Sequence, residues 1–476
     1  MKKTKIVCTI GPATKDVEVL KEMMLEGMNV ARINFSHGSY EDQKVYVEAI
    51  KKAREEVNLP VALLLDTQGP EIRTGKLEND SVELKTGNKI ILTNKEVLGN
   101  EDKIFMNFED LYKDVKQGTI ILVDDGKIEL VVDKIENEDI FCTITNGGKL
   151  GNRKSINLPG TEVNLPALKE KDVQDLKDGC KAGFDYVSAS FVRTANDVKE
   201  IRKVLDENGG EDIKIISKIE NRQGMDNIEE IVKISDGIMV ARGDLGVEVP
   251  LEEVPLMQKR MIKLCNKYGK IVITATQMLE SMTTNPRPTR AEVSDVANAI
   301  YDGTGAIMLS GESAMGKYPV ECVKTMSKIA NTVERDIDYW KNFDSNEYDA
   351  DNPNYEFNIN HSICLTAKEM RAKAFVAYTE GGDTPRTIAS FLPECPIYAI
   401  TANERTYRQM ALGWGIIPIL IHADVNAKEL ISMGIEQLKE DGILIKGDII
   451  AIAGGNLIVE NSKDVINRTI GGVLRI

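Results

Sequence analysis

The sequence predicts an α/β protein: a (β/α)8 barrel carrying an inserted small β-barrel, followed by a C-terminal α/β domain with an open sheet. Three observations carry this. Eight short β-rich apolar runs alternate with helix-like segments, nearly every run ends in polar or charged side chains, and the alternation is interrupted once by a stretch that reads as β only. The 476 residues exceed one ordinary core, so two to four domains are expected.

The eight runs are 5–10, 29–36, 61–67, 184–192, 213–220, 237–244, 270–277 and 305–313. Between them lie amphipathic helices. One covers 15–26, with Thr14 as N-cap, Val17, Leu20 and Met24 on one face and Gly27 past its end. Another opens with the capping box Thr289 to Glu292, carries Val293, Val296, Ala297 and Ile300, and stops at Gly303. The same alternation permits an open doubly wound sheet, in which polar clusters would gather at a switch point. Here they end nearly every strand, which favours the barrel.

Residues 70–167 read as hairpins separated by Gly, Asn and Asp turns, for example "SVELKTGNKIILTN" and "GTIILVDDGKIELVV". The expected division is a catalytic barrel from 1–69 and 168–340, a lid domain from 70–167, and a regulatory α/β domain from 341–476. The polar, acidic stretch at 342–360 reads as a linker. Beyond it, "AKAFVAYT", "CPIYAIT", "GIIPILI" and "GDIIAIAGG" are the strands of the last sheet.

A net charge of −15 with few aromatic residues argues against nucleic acid or an anionic membrane as partner. An anionic substrate must then be drawn in by a local cationic cluster or a bound metal. Seven scattered cysteines suit free thiols in a reducing cytoplasm, and neither a secretion signal nor an 18-residue apolar run is found. The three histidines, His37, His361 and His422, are far apart, which disfavours histidine-rich metal sites and Ser-His-Asp triads.

The polar residues gathered at the strand ends are Arg32, Asn34 and Ser36; Asp66 and Thr67, with Arg73 beyond; Lys218 and Glu220; Arg242 and Asp244; Thr276 and Gln277; Ser310 and Glu312. Lys218 and Glu220 lie two apart, on the strand face that also carries Ile216. Burying both charges is costly unless they are paired or coordinated. Glu220 and Asp244, from adjacent strand ends, form the sparse oxygen set that Mg2+ accepts while keeping water and substrate oxygens. Such charges also arise as salt bridges closing a barrel mouth, but six strand ends doing so together point to chemistry. Cations around a divalent ion suit phosphoryl transfer, and a lysine beside a metal suits an enolate. No Walker loop or protein-kinase motif set is present.

The stretches "TKIVCTIGPAT", "ARINFSHG", "LLLDTQGPEIRTG", "IISKIENRQGM", "IMVARGDLGVEVP", "TATQMLESM" and "NPRPTRAEVSDVANAIYDGTGAIMLSGESAMGKYP" closely resemble the pyruvate kinase family. The resemblance implies transfer of the phosphoryl group of phosphoenolpyruvate to ADP, giving ATP and, after protonation of the enolate, pyruvate, with Mg2+ (or Mn2+) and K+ as cofactors. It assigns Mg2+ to Glu220 and Asp244, and the transferring phosphoryl group and enolate to Lys218. Arg32 and Arg73 form a phosphate clamp. Asn34, Ser36, Asp66 and the carbonyl of Thr67 form the K+ cage, with Glu71 marking K+ dependence. Gly243 and Asp244, beside Arg242 and Thr276, receive the substrate carboxylate. Thr276, whose hydroxyl is too weak an acid to be the ultimate proton source, acts as a relay. His37, with Asn34 and Arg73, is assigned to the nucleotide phosphates, and Gln277, Ser310 and Glu312 to support.

In the C-terminal domain "AYTEGGDTPRTIAS" resembles a sugar-phosphate effector pocket, with Thr379, Gly381, Gly382 and Thr384 as its residues, Thr384 as N-cap and Pro385 at the first helical position. Gly381 replaces a small hydroxylic residue there, Pro385 an alanine, and Glu380 and Asp383 add negative charge. A homotetramer is the family expectation.

Overall fold

The structure, a computed structural model, describes residues 2–36, 38–344, 355–455 and 469–476. Eight parallel strands close into a barrel: β1 (Lys5–Thr9), β2 (Val30–Asn34), β3 (Ala62–Asp66), β4 (Tyr186–Ala189), β5 (Lys214–Ile219), β6 (Gly237–Ala241), β7 (Ile271–Ala275) and β8 (Ala306–Leu309), with β8 pairing back onto β1. The runs are apolar throughout because both faces are covered. Alternate residues divide between two cores. Val7, Val30, Leu64, Ile216, Met239 and Met308 fill the interior, while Ile6, Ile33, Leu63, Val187, Ile215 and Ile238 face the helices.

Two runs are shorter as strands than the sequence suggests. The run 237–244 leaves the ladder at Ala241 and enters the helix Arg242–Glu248; the run 305–313 ends at Leu309 and turns into the helix Gly311–Ala314. Both ends bend because side chains take over the backbone donors there: Glu312 Oε2 accepts from Ser310 N (2.7 Å) and Thr276 Oγ1 from Gly243 N (2.8 Å). The helix expected at 15–26 spans Val17–Leu25 and is capped by Asp16, which accepts from Glu18 N (2.9 Å). Thr14 does not cap it, because its hydroxyl is buried in the preceding 3-10 turn and accepts from Gly11 N (3.0 Å). The Thr289–Glu292 capping box opens the helix Arg290–Tyr301 as expected.

The insert folds as a seven-stranded sheet from Ile72 to Asn157, plus a two-stranded ribbon of Ser81–Leu84 and Gly148–Gly151. Its two outer strands, Ile72–Arg73 and Lys103–Phe105, meet through a Thr74–Met106 bridge and the bonds Gly75 N to Phe105 O (2.8 Å) and Asn107 N to Arg73 O (3.1 Å), which close it into a small barrel. Its own core contains Ile90, Leu92, Ile121, Leu130, Ile140 and Ile144. The period-two alternation of Ile128–Glu136 reflects one covered face.

The last sheet has the order β11 (Ile416–Leu420), β10 (Ile397–Thr401), β9 (Ala374–Tyr378), β12 (Ile449–Gly455) and β13 (Thr469–Arg475), with only β13 antiparallel. The stretch read as a linker is partly helical: the helices Tyr339–Asp344 and Tyr355–Glu369 occupy both its ends, and 345–354 lie outside the described residues. Phe343, Phe357 and Ile359 pack on the C-terminal core, so tertiary burial overrides the polar composition.

The C-terminal segment plugs the barrel floor. Leu412 joins the interior core, Tyr186 Oη donates to Gln409 O (2.6 Å), Lys5 Nζ to Ile416 O (2.6 Å), and Arg408 Nε to the buried Asp185 (3.0 Å). All seven cysteines are free, and no helix among the described residues is long and apolar enough to cross a membrane.

Candidate active site

The carboxyl ends of β2, β3 and β5 bring four charges into one buried cluster. Lys218, near the end of β5 on the same face as the interior Ile216, places Nζ 2.9 Å from Glu220 Oε1 and 3.6 Å from Asp66 Oδ2. Arg32, on β2, puts its guanidinium 2.5 Å from the same Asp66 oxygen and donates to Thr9 Oγ1 (2.7 Å). Thr9 in turn donates to Leu309 O (2.9 Å), so the last strand end fixes the arginine on the second.

Burial pulls these groups in different directions. It would raise the Asp66 carboxyl, but Arg32 and Lys218 more than offset it and hold the group below the usual carboxylate range. Burial also disfavours the Lys218 ammonium; Asp66 and Glu220 outweigh that and keep it charged. Glu220 is the unsatisfied member. Burial and the neighbouring Asp244 push it up to about 7, against the pull of Lys218 and a hydrogen bond from Phe191 N (2.6 Å). Its Oε1 lies close to Lys218 yet is not aligned as a hydrogen-bond acceptor, and it has no other partner.

That orphaned oxygen, with a second carboxylate near it, is the donor chemistry of a divalent cation. Among the described residues no group of three or more His, Cys, Asp or Glu is placed to hold a metal, and the pair in question is Glu220 and Asp244. This fits Mg2+, which takes its remaining ligands from water and substrate. Asp66 Oδ1 and Arg32 Nε are likewise buried without partners. The first is an open acceptor on β3 next to Asn34 of β2 and Thr67, and the second an open donor. Asn34 Oδ1 accepts from Ser36 N (2.9 Å), and the Thr67 carbonyl accepts from Ser190 Oγ (2.7 Å).

The opposite rim is held by strain and an arginine strut. Thr276 and Gln277 have φ of 67° and 54°, a left-handed conformation that is costly for a β-branched threonine. Arg242 secures this turn, donating to Ala275 O (3.0 Å), Thr276 O (2.7 Å) and Asp295 Oδ1 (2.7 Å). Thr276 Oγ1 accepts from Gly243 N and donates to Ala275 O (2.7 Å). The buried Glu312 accepts from both Leu279 N (3.0 Å) and Ser310 N (2.7 Å), joining the last two strand ends. Gln277 is exposed and makes no side-chain hydrogen bond among the described residues.

Between insert and barrel mouth lies a cleft of about 180 Å³, lined among others by Glu71, Ile156, Phe191, Asn221, Asp244 and Glu248. Asn157 of the insert donates to Glu248 (2.8 Å), and Arg193 of the barrel donates to the carbonyls of Val163 (3.1 Å) and Leu165 (2.7 Å). Arg73 is not brought into the cluster. From the insert its guanidinium pairs with Glu71 (2.7 Å) and donates to Arg153 O (3.1 Å). His37 lies outside the described residues.

At the C-terminal loop Gly382, at φ 90°, is the N-cap and the helix spans Asp383–Ser390, so Thr384 sits within the first turn and not at the cap. Thr379 Oγ1 accepts from Gly382 N (2.7 Å), and Arg386 donates to the carbonyls of Gly381 and Gly382. The turn is thereby closed from within.

Sequence reasoning missed Thr9, Ser190, the Phe191 amide and Asp295. Thr9 ends β1 and Ser190 directly follows β4, the two strand ends from which no site residue was drawn. A polar residue at each of the eight ends was the available signal.

A closed barrel with a buried lysine, an arginine and paired carboxylates at its carboxyl rim defines an enzyme that handles an anion beside cations. The barrel-domain model of pyruvate kinase matches residues 1–323, and the alpha/beta-domain model of the same family matches 358–467. A pyruvate kinase of Clostridium acetobutylicum is 48% identical over 456 residues, 96% of each chain. Pyruvate kinases of Sporosarcina psychrophila and Staphylococcus epidermidis are each 48% identical over 457 residues, covering 96% of this chain and 78% of theirs. The chain belongs to the pyruvate kinase family, and it is a phosphotransferase.

Proposed function

We propose that the chain moves the phosphoryl group of phosphoenolpyruvate to ADP, releasing pyruvate and ATP. The observation that carries this reading is the placement of Lys218 Nζ, charged and buried between Asp66 and Glu220, within reach of the carboxylate pair Glu220 and Asp244. Mg2+ or Mn2+ held by Glu220 and Asp244, and K+ among Asn34, Ser36, Asp66 and Thr67, supply charge neutralisation for the migrating group when bound.

The chain's own residues do the rest. Lys218 donates to the phosphoryl oxygens and then to the enolate, its charge kept available by Asp66. Arg32, fixed by Thr9 and Asp66, presents its unpartnered Nε to the phosphate. The Asp244 amide at the start of the helix Arg242–Glu248 receives the substrate carboxylate, joined by the Gly243 amide once Thr276 Oγ1 releases it. Thr276 Oγ1, pinned between Gly243 N and Ala275 O, stands where a proton is relayed to the enolate carbon. The insert serves as a lid through Asn157–Glu248, and Arg73 joins the phosphate clamp once it leaves Glu71. A sugar phosphate enters the C-terminal loop only if Arg386 releases Gly381 and Gly382.

A coupled assay for pyruvate tests the reading. Product formed from phosphoenolpyruvate only with ADP supports it; pyruvate formed without nucleotide, with inorganic phosphate released as water takes the phosphoryl group, makes the protein a phosphatase instead. Lys218→Met is expected to lower kcat by several orders of magnitude while phosphoenolpyruvate binding largely persists.

A further inference from the structure

Ser190, 5% exposed just past the end of β4, connects the two halves of the site. Its Oγ accepts from Lys218 Nζ (2.9 Å) and donates to the carbonyl of Thr67 (2.7 Å). A serine hydroxyl has one proton, so donating it to Thr67 leaves only lone pairs toward the lysine, and the orientation of the hydroxyl is set. Its position is set as well. Ser190 N donates to Thr67 Oγ1 (3.1 Å), while Thr67 N donates to Ser188 O (3.0 Å), stitching the ends of β3 and β4 beyond their last ladder pair, Ser188 with Asp66. The next residue, Phe191, adopts φ 56° and directs its N–H onto Glu220. One short bend therefore holds both the lysine and the carboxylate that faces it.

We propose that Ser190 is a positioning residue that couples the monovalent-cation cage to the phosphoryl-binding lysine. The inference rests on the phosphotransfer reading for the roles of its two neighbours. The Thr67 carbonyl belongs to the cage, where the adjacent Asp66 Oδ1 is buried without a partner. The Ser190 hydroxyl holds that carbonyl oxygen in place while accepting from Lys218, so one side chain positions both the cation's ligand and the lysine's acceptor. Without the hydroxyl, Lys218 keeps only its carboxylate partners and settles against Glu220 and Asp66. The substrate still binds, through Arg32 and the Gly243 region, but the ammonium is displaced from the migrating group.

The test compares wild type with Ser190→Ala and Ser190→Thr. In steady-state kinetics Ser190→Ala is expected to lose about tenfold to hundredfold in kcat with KM for phosphoenolpyruvate within about threefold, and to need roughly tenfold more K+ for half-activation, as expected for loss of one oriented hydrogen bond to a charged group. The second readout needs no turnover: the rise in Tm on titrating KCl against tetramethylammonium chloride is expected in wild type, to be largely lost in Ser190→Ala, and to be partly restored in Ser190→Thr. Wild-type kcat and K+ response in Ser190→Ala would overturn the proposal, as would a wild type with no K+-specific shift. A wild type that shows the shift but makes no pyruvate refutes the phosphotransfer reading instead, and the Tm series then decides for Ser190 alone.

Discussion

Arg408→Met removes the main partner of a carboxylate that has no access to water. Asp185 is fully buried at the barrel floor, with Arg408 Nε at 3.0 Å, Arg54 at 3.9 Å and Leu63 N at 2.9 Å. At an effective dielectric of about 20, the two attractions are about 5 and 4 kcal/mol before desolvation. Breaking a buried pair by removing one partner costs about 3–5 kcal/mol; the arginine and amide that remain place this case near 3 kcal/mol. Burial already holds the Asp185 carboxyl above its ordinary range, against Arg408, the Leu63 amide and Arg54, and losing Arg408 lifts it further. A carboxyl raised in the folded state has its stability fully present below the unfolded pKa and loses it as pH rises through the folded one. The deficit of the variant is therefore widest near pH 8 and narrows as pH falls. Urea unfolding followed by tryptophan fluorescence measures this, since the two tryptophans, Trp340 and Trp414, include one two residues beyond the plugging Leu412. A deficit under about 1 kcal/mol, or one unchanged between pH 8 and pH 5.5, would refute the reasoning.

Glu312→Ala leaves the Leu279 and Ser310 amides buried and unpaired, and is expected to cost about 2–5 kcal/mol in thermal unfolding; a cost below about 1 kcal/mol would mean water replaces the carboxylate. Gly237→Ala sets a methyl 2.7 Å from Ile216 Cδ1 and 2.8 Å from both Ile271 Cβ and Ile271 O, so a loss of about 1–3 kcal/mol is expected from denaturant midpoints. Thr289→Ala removes the capping box of the helix that carries Asp295, the partner of Arg242, and is expected to lower stability by about 1 kcal/mol with kcat unchanged; a lowered kcat would mean that the cap positions Asp295.

The barrel was legible because strands covered on both faces leave long apolar runs, and the insert because one covered face leaves strict alternation. Strand ends were less legible. At Ala241 and Leu309 the composition stays strand-like, and only hydrogen bonds accepted by side chains, Thr276 from the neighbouring strand end and Glu312 from two residues on, turn the backbone away. The helix beginning at Tyr355 was hidden by its asparagines, which carry no amphipathic period although Asn360 is buried. Strand β13 went unread because Gly471 and Gly472 interrupt it. In the site, charged residues announced themselves through the cost of burying them. Ser190 and Thr9 gave no such notice, since a small hydroxyl at a strand end looks ordinary until the partner across the barrel is known.

A titration of Mn2+ in the presence of phosphoenolpyruvate, followed by electron paramagnetic resonance of the free ion, tests the two-carboxylate site most directly. One ion per chain is expected in wild type, weakened at least tenfold in both Glu220→Gln and Asp244→Asn but not in Glu312→Gln, whose carboxylate serves only backbone amides. Mn2+ binding undiminished in Glu220→Gln and Asp244→Asn would contradict a site organised around those two side chains.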